Sequence, residues 1–217
     1  MVNGLSGEKL AETNIGGLPL SDGVRDFLNS VAAAVCEQLP EQPAGHASGF
    51  VRAFYAALPL ENLTATGNAA LTAIALAQWR FVQERPAGAL KLRVYNPTPE
   101  IDGWQSSHTV VAMLNDDMPF IIDSTTAYLA AQQLTIHRLI HPVLRARRDG
   151  AGMLTELQGA AGSASGSGSG SAGLESCVLI EIDHCASESA LMELERGLID
   201  VLGDVRAVVN GWKGMLA

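Results

Sequence analysis

The stretch HTVVAMLNDDMPFIIDS, residues 108–124, holds the side chains of this sequence that are best suited to chemistry. A polar insert lies between two apolar runs, and two more polar residues follow one helical turn later. The six candidate residues for binding an effector are Asn115, Asp116, Asp117, Met118, Asp123 and Ser124. Carboxylates at such a position can bind a metal ion, accept hydrogen bonds from an ammonium group, or stabilise the start of a helix.

The spacing leaves three interpretations of this loop open. Asp116 and Asp117 stand where a strand passes into a helix, and a carboxylate there stabilises the helix N-terminus by about 0.3–1 kcal/mol. The free N–H groups of the same loop can instead hold the carboxylate of an amino acid, while the aspartates accept hydrogen bonds from its ammonium group. A metal site made from Asp116, Asp117 and Asp123 is the third interpretation, although adjacent carboxylates rarely converge.

The other polar residues give weaker evidence for a functional site. His137 and His141 lie on a predicted strand about 13 Å apart, which is too far for one metal ion unless Pro142 bends the chain, so both are expected to be partly buried or at the surface. Glu181 and Asp183 alternate outward on the last predicted strand, and we expect them to face solvent or an interface.

No motif for catalysis or for a cofactor stands out. Gly168, Gly170 and Gly173 form a GxGxxG pattern, but a strand follows it where a dinucleotide site needs a helix, so we interpret it as low-complexity coincidence. The sequence contains no GxSxG, HExxH or P-loop pattern. Neither a cofactor nor a metal is therefore expected in this chain, and whether it is catalytic by itself stays open.

Helical periodicity dominates residues 21–89. Apolar residues at spacings of three and four predict a helix after Ser21 or Asp22 that ends before Pro40, with the stripe Val24, Phe27, Leu28, Val31, Val35 and Leu39. Further helices are predicted at about 47–57 and 68–83. Residues 1–20 have the composition of a flexible tail, so this part of the chain is predicted to be a tail followed by a small helical unit.

Residues 90–217 alternate strands with helices. Strands are predicted at 90–96, at 108–115, which is apolar enough to be central, at 134–149, where Pro142 suggests an edge or bulge, and at 176–184. A helix is predicted at 119–133 with Pro119 in its first turn, and one long helix at 187–212, with a strand from Arg206 as the alternative. The Gly/Ser-rich stretch 158–174 is predicted to be a flexible loop.

Composition excludes several classes of function. A net charge of −9 argues against binding nucleic acid or an anionic membrane surface. Cys36, Cys177 and Cys185 form no CxxC motif, which favours reduced thiols. No apolar run approaches the ~20 residues of a membrane span, and no signal peptide is visible at the N-terminus. We therefore expect a cytoplasmic protein.

The sequence resembles a known family over about 90–215. The order β-α-β-β-α with a polar loop after its first strand looks like an ACT domain, a ferredoxin-like module. The segments VYNPTPEIDGWQSSHTVVAMLNDDMPFIIDS, IHRLIHPVLRARRDGAG, ESCVLIEIDH and VLGDVRAVVNGWKGM resemble the N-terminal region of the large NAD-specific glutamate dehydrogenases of bacteria. Residues 50–83 match it more loosely, and the Gly/Ser loop is longer and simpler than expected.

The resemblance implies a fold and a role. The fold class is α+β, a ferredoxin-like ACT-type antiparallel sheet with helices on one face, preceded by the helical unit. ACT modules usually have a fourth strand after their second helix, and residues 90–96 could fill that edge instead. The implied role is a regulatory and assembly domain of an enzyme that converts L-glutamate to 2-oxoglutarate with NAD, with an amino-acid effector on the 115–124 loop. The alternative is a purely structural oligomerisation module.

The resemblance also implies where the chemistry and the partners lie. The NAD-binding fold and the catalytic lysine of such enzymes are expected outside these 217 residues, so NAD would serve the full-length enzyme and this chain would be one part of it. The expected partners are other domains or subunits of the same enzyme, in a homo-oligomer. Neither nucleic acid nor a membrane is expected among them.

Overall fold

The computed structural model describes residues 20–39, 44–159 and 172–215, which form seven helices and six strands. The helices are α1 Asp22–Glu37, α2 Ala44–Tyr55, α3 Leu60–Thr66, α4 Asn68–Val82, α5 Pro99–Asp102, α6 Ile121–Ala131 and α7 Glu188–Met215. The strands are β1 Lys91–Tyr95, β2 Thr109–Asp116, β3 Ile136–Ile140, β4 Val143–Arg148, β5 Leu154–Gly159 and β6 Gly173–Ile182. Residues 1–19 of the predicted tail and 160–171 of the predicted Gly/Ser loop, with Gly168 and Gly170, lie outside the described residues. The predictions are wrong at the ends of these segments, since Leu20 is buried and residues 158–159 and 173–174 belong to strands.

All strand pairs of the sheet are antiparallel, and β6 lies at its centre. One edge of β6 pairs with β2, while β3 and β4 share the other edge one after the other. Because β2 and β3 both run antiparallel to β6, they are parallel to each other, and α6 crosses between them. This split β-α-β unit confirms the predicted ferredoxin-like, ACT-type α+β fold.

The edge beside β2 is filled by a strand that precedes the split unit. Residues Lys91–Tyr95 pair antiparallel with Leu114–Val110, which confirms that residues 90–96 can supply the missing fourth strand. That position is open because α7 remains helical through residue 215, so the alternative of a strand from Arg206 is wrong. The backbone N–H of Val94 donates to Glu195 Oε2 of α7 at 2.9 Å, which occupies one donor of this edge strand.

Both faces of the sheet are covered because the central strands are apolar on both sides. Successive strand residues point to opposite faces, so Val111 and Met113 pack with α6 and α7, while Val110 and Ala112 pack with α1, α2 and α4. The two ACT-type helices do share one face, as predicted. The helical unit packs against the opposite face of the sheet and forms a core with it. The predicted boundary between a helical unit at 21–89 and an ACT-like domain at 90–217 stays a prediction.

The helices form where the periodicity places them. Ser21 caps α1 by accepting a hydrogen bond from the N–H of Val24, which confirms the predicted start. The stripe residues Val24, Leu28, Val31 and Val35 of that helix are buried. The predicted helices at 47–57 and 68–83 correspond to α2 and α4 with small shifts at their ends.

Several local features differ from the predictions, among them the four-residue helix α5, which was not predicted. The predicted strand 134–149 is two strands, because Pro142 has no N–H for the ladder, although its carbonyl still accepts from the N–H of Cys177. Pro119 lies in the turn before α6 instead of in its first turn. The short elements α3 and β5 were missed, since seven and six residues carry little periodicity.

The residue packing at the α6–α7 contact supports a test of the fold. A Cβ at Gly197 of α7 would lie 2.5 Å from Cζ of Tyr128 and closer still to its hydroxyl. Gly203 of the same helix has no atom near its Cβ position. We expect Gly197→Ala to lower the free energy of unfolding by about 1–2 kcal/mol, because overpacking outweighs the gain in helix propensity.

The matched control is Gly203→Ala, which should raise the free energy of unfolding by about 0.5–1 kcal/mol. Both variants can be compared by urea unfolding followed by circular dichroism. In a Tyr128→Ala background the Gly197→Ala change should no longer destabilise. An equal gain in stability from both glycine substitutions would show that Tyr128 does not press on this turn of α7.

Candidate functional site

The predicted loop lies at the end of β2 and leads into α6. Asn115 is buried, Asp116 is half-exposed, and Asp117 and Asp123 are exposed. Phe120, immediately before α6, has a φ of 70° and a half-exposed ring, an unusual conformation for a bulky residue. The turn therefore places an apolar ring and several polar groups together at one surface.

Most polar groups of the loop already have partners within the chain. Arg85 donates to Asp116 Oδ1 at 2.7 Å, and Arg206 of α7 donates to Asn115 Oδ1. Asp117 accepts from the Ser176 hydroxyl at 2.7 Å. Asp116 and Asp117 therefore have side-chain partners from other parts of the chain, and their interpretation as helix-start charges stays a prediction.

The other residues of the loop differ in their contacts. Asp123 lies in the first turn of α6, and the N–H of Ser124 donates to the carbonyl of Phe120. Met118 packs against the core beneath α6 and α7. Asn115 Nδ2 is buried and has no partner among the described residues. Within the described part of the chain, no group of three His, Cys, Asp or Glu side chains is placed to hold a metal ion.

Behind the loop lies a buried ion network that the sequence did not suggest. Glu175, at 4% exposure, accepts hydrogen bonds at 2.8 Å from Arg85 and from two nitrogens of Arg148. Arg148 also donates to the carbonyls of Val82, Gln83 and Gly152. Arg85 carries no sequence signal of this role, because its partners lie 31 and 90 residues away.

The pKa values follow from this geometry. Burial alone would raise the pKa of Glu175, but the hydrogen bonds from Arg148 and Arg85 outweigh burial and lower it. Burial would likewise lower the pKa of Arg85, but its hydrogen bonds to Glu175 and Asp116 raise it. Glu175 and Arg85 are therefore both held in their charged forms, which fits a structural ion network and not a proton donor or acceptor.

Close to this network, a histidine, a serine and an aspartate are brought together. The Ser176 hydroxyl is hydrogen-bonded to Asp117 and lies 3.0 Å from Nε2 of His141. Burial lowers the pKa of His141, and the charge of Asp117 opposes that shift. A nucleophilic triad needs the histidine between serine and acid, whereas here the fully buried serine is in the middle. This arrangement supports strand packing and not acyl transfer.

The histidines and acids predicted on the other strands are separated by the fold. His137 lies within hydrogen-bond distance of Asp183, at 2.8 Å, and both side chains are partly exposed, whereas His141 is half-buried. The prediction that Glu181 faces solvent or an interface did not anticipate its burial: it is 6% exposed beneath α4. Burial also raises the pKa of Cys177 to about 12, so this thiol is no nucleophile.

Because α6 crosses from β2 to β3 over β6, and α7 lies beside it on the same face, the class of protein is an ACT-type α+β domain. The sequence profile of the family "Glutamate dehydrogenase, ACT1 domain" matches residues 50–198. The chain therefore belongs to this family, which confirms the predicted resemblance.

Two relatives carry a fuller name. The chain is 33% identical over 192 residues to the NAD-specific glutamate dehydrogenases of Pseudomonas aeruginosa and Halomonas elongata. Each match covers 88% of this chain and 12% of the relative, so the chain spans a small part of those proteins. No solved structure matches the chain. No helix of residues 20–39, 44–159 or 172–215 is long and apolar enough to cross a bilayer.

The ion network allows a stability test. Glu175→Gln removes the charge that Arg85 and Arg148 share, and a buried charge left without its partner costs about 3–5 kcal/mol. We expect a loss of that size in the free energy of unfolding. The control is Asp22→Asn, which breaks the exposed Asp22–Arg25 pair and should cost less than about 1 kcal/mol. Equal losses would mean that the network adds nothing beyond a surface pair.

The same network sets a dependence on pH. A carboxyl whose pKa is lowered by folding stabilises the folded state above its ordinary value of 4.5, and this contribution is lost as the pH falls through the folded pKa. The stability difference between the wild-type chain and Glu175→Gln should therefore be largest above about pH 5.5 and shrink towards about pH 3. Urea unfolding across this range measures it, and a constant difference would contradict the lowered pKa.

Proposed function

We propose that this chain is the N-terminal regulatory and assembly domain of a large NAD-dependent glutamate dehydrogenase. The rest of that enzyme would convert L-glutamate to 2-oxoglutarate and ammonia, and NAD would bind there. The observation that carries the proposal is the family match over residues 50–198, together with relatives of which the chain spans 12%.

The loop after β2 supports an amino-acid effector site within this role. Arg206 and the unpartnered Nδ2 of Asn115 are donors that suit a carboxylate. The exposed carboxylates of Asp117 and Asp123 suit an ammonium group. An effector bound here would compete with Asn115 for Arg206 of α7, so binding would be linked to the position of that helix.

Two observations favour a purely structural module as the second candidate. Arg85, Arg206 and Ser176 already donate hydrogen bonds to Asp116, Asn115 and Asp117. The outer surface of α7 also exposes Met192 and Ile199, which are 57% and 46% exposed and lie two turns apart on one side. Such apolar side chains suit docking against other domains or subunits of a cytoplasmic homo-oligomer.

The effector site can be tested with the 217-residue chain. A ligand at 100 times its dissociation constant adds about 2.7 kcal/mol to the stability of a protein that binds it only when folded. We expect at least one of the twenty amino acids to raise the melting temperature of the wild-type chain. The double variant Asp117→Asn, Asp123→Asn should lose that rise, because it removes both exposed charges while keeping the Arg85 network.

Asp22→Asn serves as the matched control, since it removes an exposed acid far from the loop in sequence, and it should respond like the wild type. No rise with any amino acid would reject the effector part of the proposal and leave the structural module. A rise that survives the double variant would place the ligand elsewhere on the chain.

A further inference from the structure

A cleft of about 460 Å³ lies between α4 and the segment that follows α5. Its apolar wall is formed by Ala70, Ala73 and Ile74 of α4 and by Trp104 opposite them. At its polar end lie Arg138 of β3 and Glu181 of β6. Thr66, His108 and residues 105–107 add further polar groups to the lining. The cleft therefore combines an apolar wall with a guanidinium, a carboxylate and several other polar groups, a composition that suits a small molecule.

Glu181 is a largely buried residue whose side chain borders the cleft. Its nearest cationic atoms are Arg138 Nη1 at 3.5 Å and His108 Nδ1 at 3.8 Å, and its side chain makes no hydrogen bond among the described residues. Charge-assisted hydrogen bonds are normally about 2.7–2.9 Å long. Glu175, on the same strand and equally buried, accepts three at 2.8 Å. Glu181 thus has acceptor capacity that the chain leaves unused.

Arg138 has donor capacity to spare beside it. Its Nη2 donates to the Thr66 hydroxyl at 3.0 Å, and the guanidinium is partly open to the cleft, with the side chain 25% exposed. A guanidinium has five N–H donors in a planar fork that matches a carboxylate. Arg138, which can bind an anion, and Glu181, which can bind a cation, therefore lie side by side at one end of the cleft.

From these contacts we infer that the cleft binds a zwitterionic α-amino acid with an apolar side chain. The ammonium group donates to Glu181, the carboxylate accepts from Arg138, and the side chain lies against Trp104 and the alanines of α4. A ligand with a single charge would bind only one of Glu181 and Arg138, and a fully apolar ligand would bind neither.

This site is separate from the 115–124 loop and does not depend on the proposed function. Glu181 pairs with Val110 at the start of β2, whereas the loop follows Asp116 at its end. Six residues of strand separate Val110 from Asp116, or about 20 Å. The two sites can therefore be tested independently.

The test is isothermal titration calorimetry of the 217-residue chain with L-phenylalanine, L-methionine and L-valine. For L-phenylalanine, 2-phenylethylamine lacks the carboxylate and 3-phenylpropanoate lacks the ammonium group. We expect saturable binding of at least one amino acid, and at least about tenfold weaker binding of either single-charge analogue, because each loses a charged hydrogen bond.

Two kinds of variant locate the ligand. Glu181→Gln should weaken binding at least about tenfold. Asp183→Asn, two residues further along, partly exposed and outside the lining of the cleft, should not. Since Glu181→Gln acts on a buried residue, Ala70→Phe provides a second test: Ala70 is exposed and lines the cleft, so the ring should block it. Ala69→Phe, an exposed neighbour outside the lining, is its control and should bind normally.

Absence of saturable binding would overturn the inference, as would binding that survives both Glu181→Gln and Ala70→Phe. Binding that is lost instead in the Asp117→Asn, Asp123→Asn variant would overturn it too, while supporting the effector loop. Binding that is lost in the cleft variants and kept in the loop variant supports the cleft alone.

Discussion

The buried pairing of Glu175 with Arg85 and Arg148 is the constraint on which the rest of the structure depends. It joins the connection after α4, the end of β4 and the start of β6, and Asp116 extends it to the end of β2. A buried charge is tolerated only when every partner is in place. The network therefore fixes the position of the helical unit relative to the sheet. The carbonyls that Arg148 binds belong to the end of α4 and to the turn before β5, and these two segments share no pattern in the sequence.

The two-sided burial of β2 and β6 follows from the same arrangement. A strand covered on one face alternates apolar and polar residues, whereas a strand covered on both faces is apolar throughout. Residues 109–115 are all buried, with helices of the N-terminal unit on one side and α6 and α7 on the other. The strand β1 completes the sheet beside them, so the ACT-type half and the helical half share a central layer.

The two candidate binding regions differ in how far their polar groups are satisfied. At the 115–124 loop, Arg85, Arg206 and Ser176 bind the side chains that sequence analysis singled out. In the cleft beneath α4, Glu181 and Arg138 retain capacity for hydrogen bonds. The first region is visible in the sequence because its polar residues are contiguous. The second is not, because Thr66, Arg138 and Glu181 are brought together only by folding and strand alternation predicts an outward-facing Glu181.

The sequence by itself determined the long helices, the central strands, the fourth strand from residues 90–96 and the family, because periodicity and local motifs are encoded within short windows. Only the tertiary structure decided that Pro142 divides one strand into two, that α1, α2 and α4 cover the second face, and which charges meet. Those outcomes depend on strand pairing, apolar packing and ion pairs between residues that lie tens of positions apart. The physical reason is that an ion pair leaves no periodic pattern in the sequence, because its two residues can be separated by any number of positions.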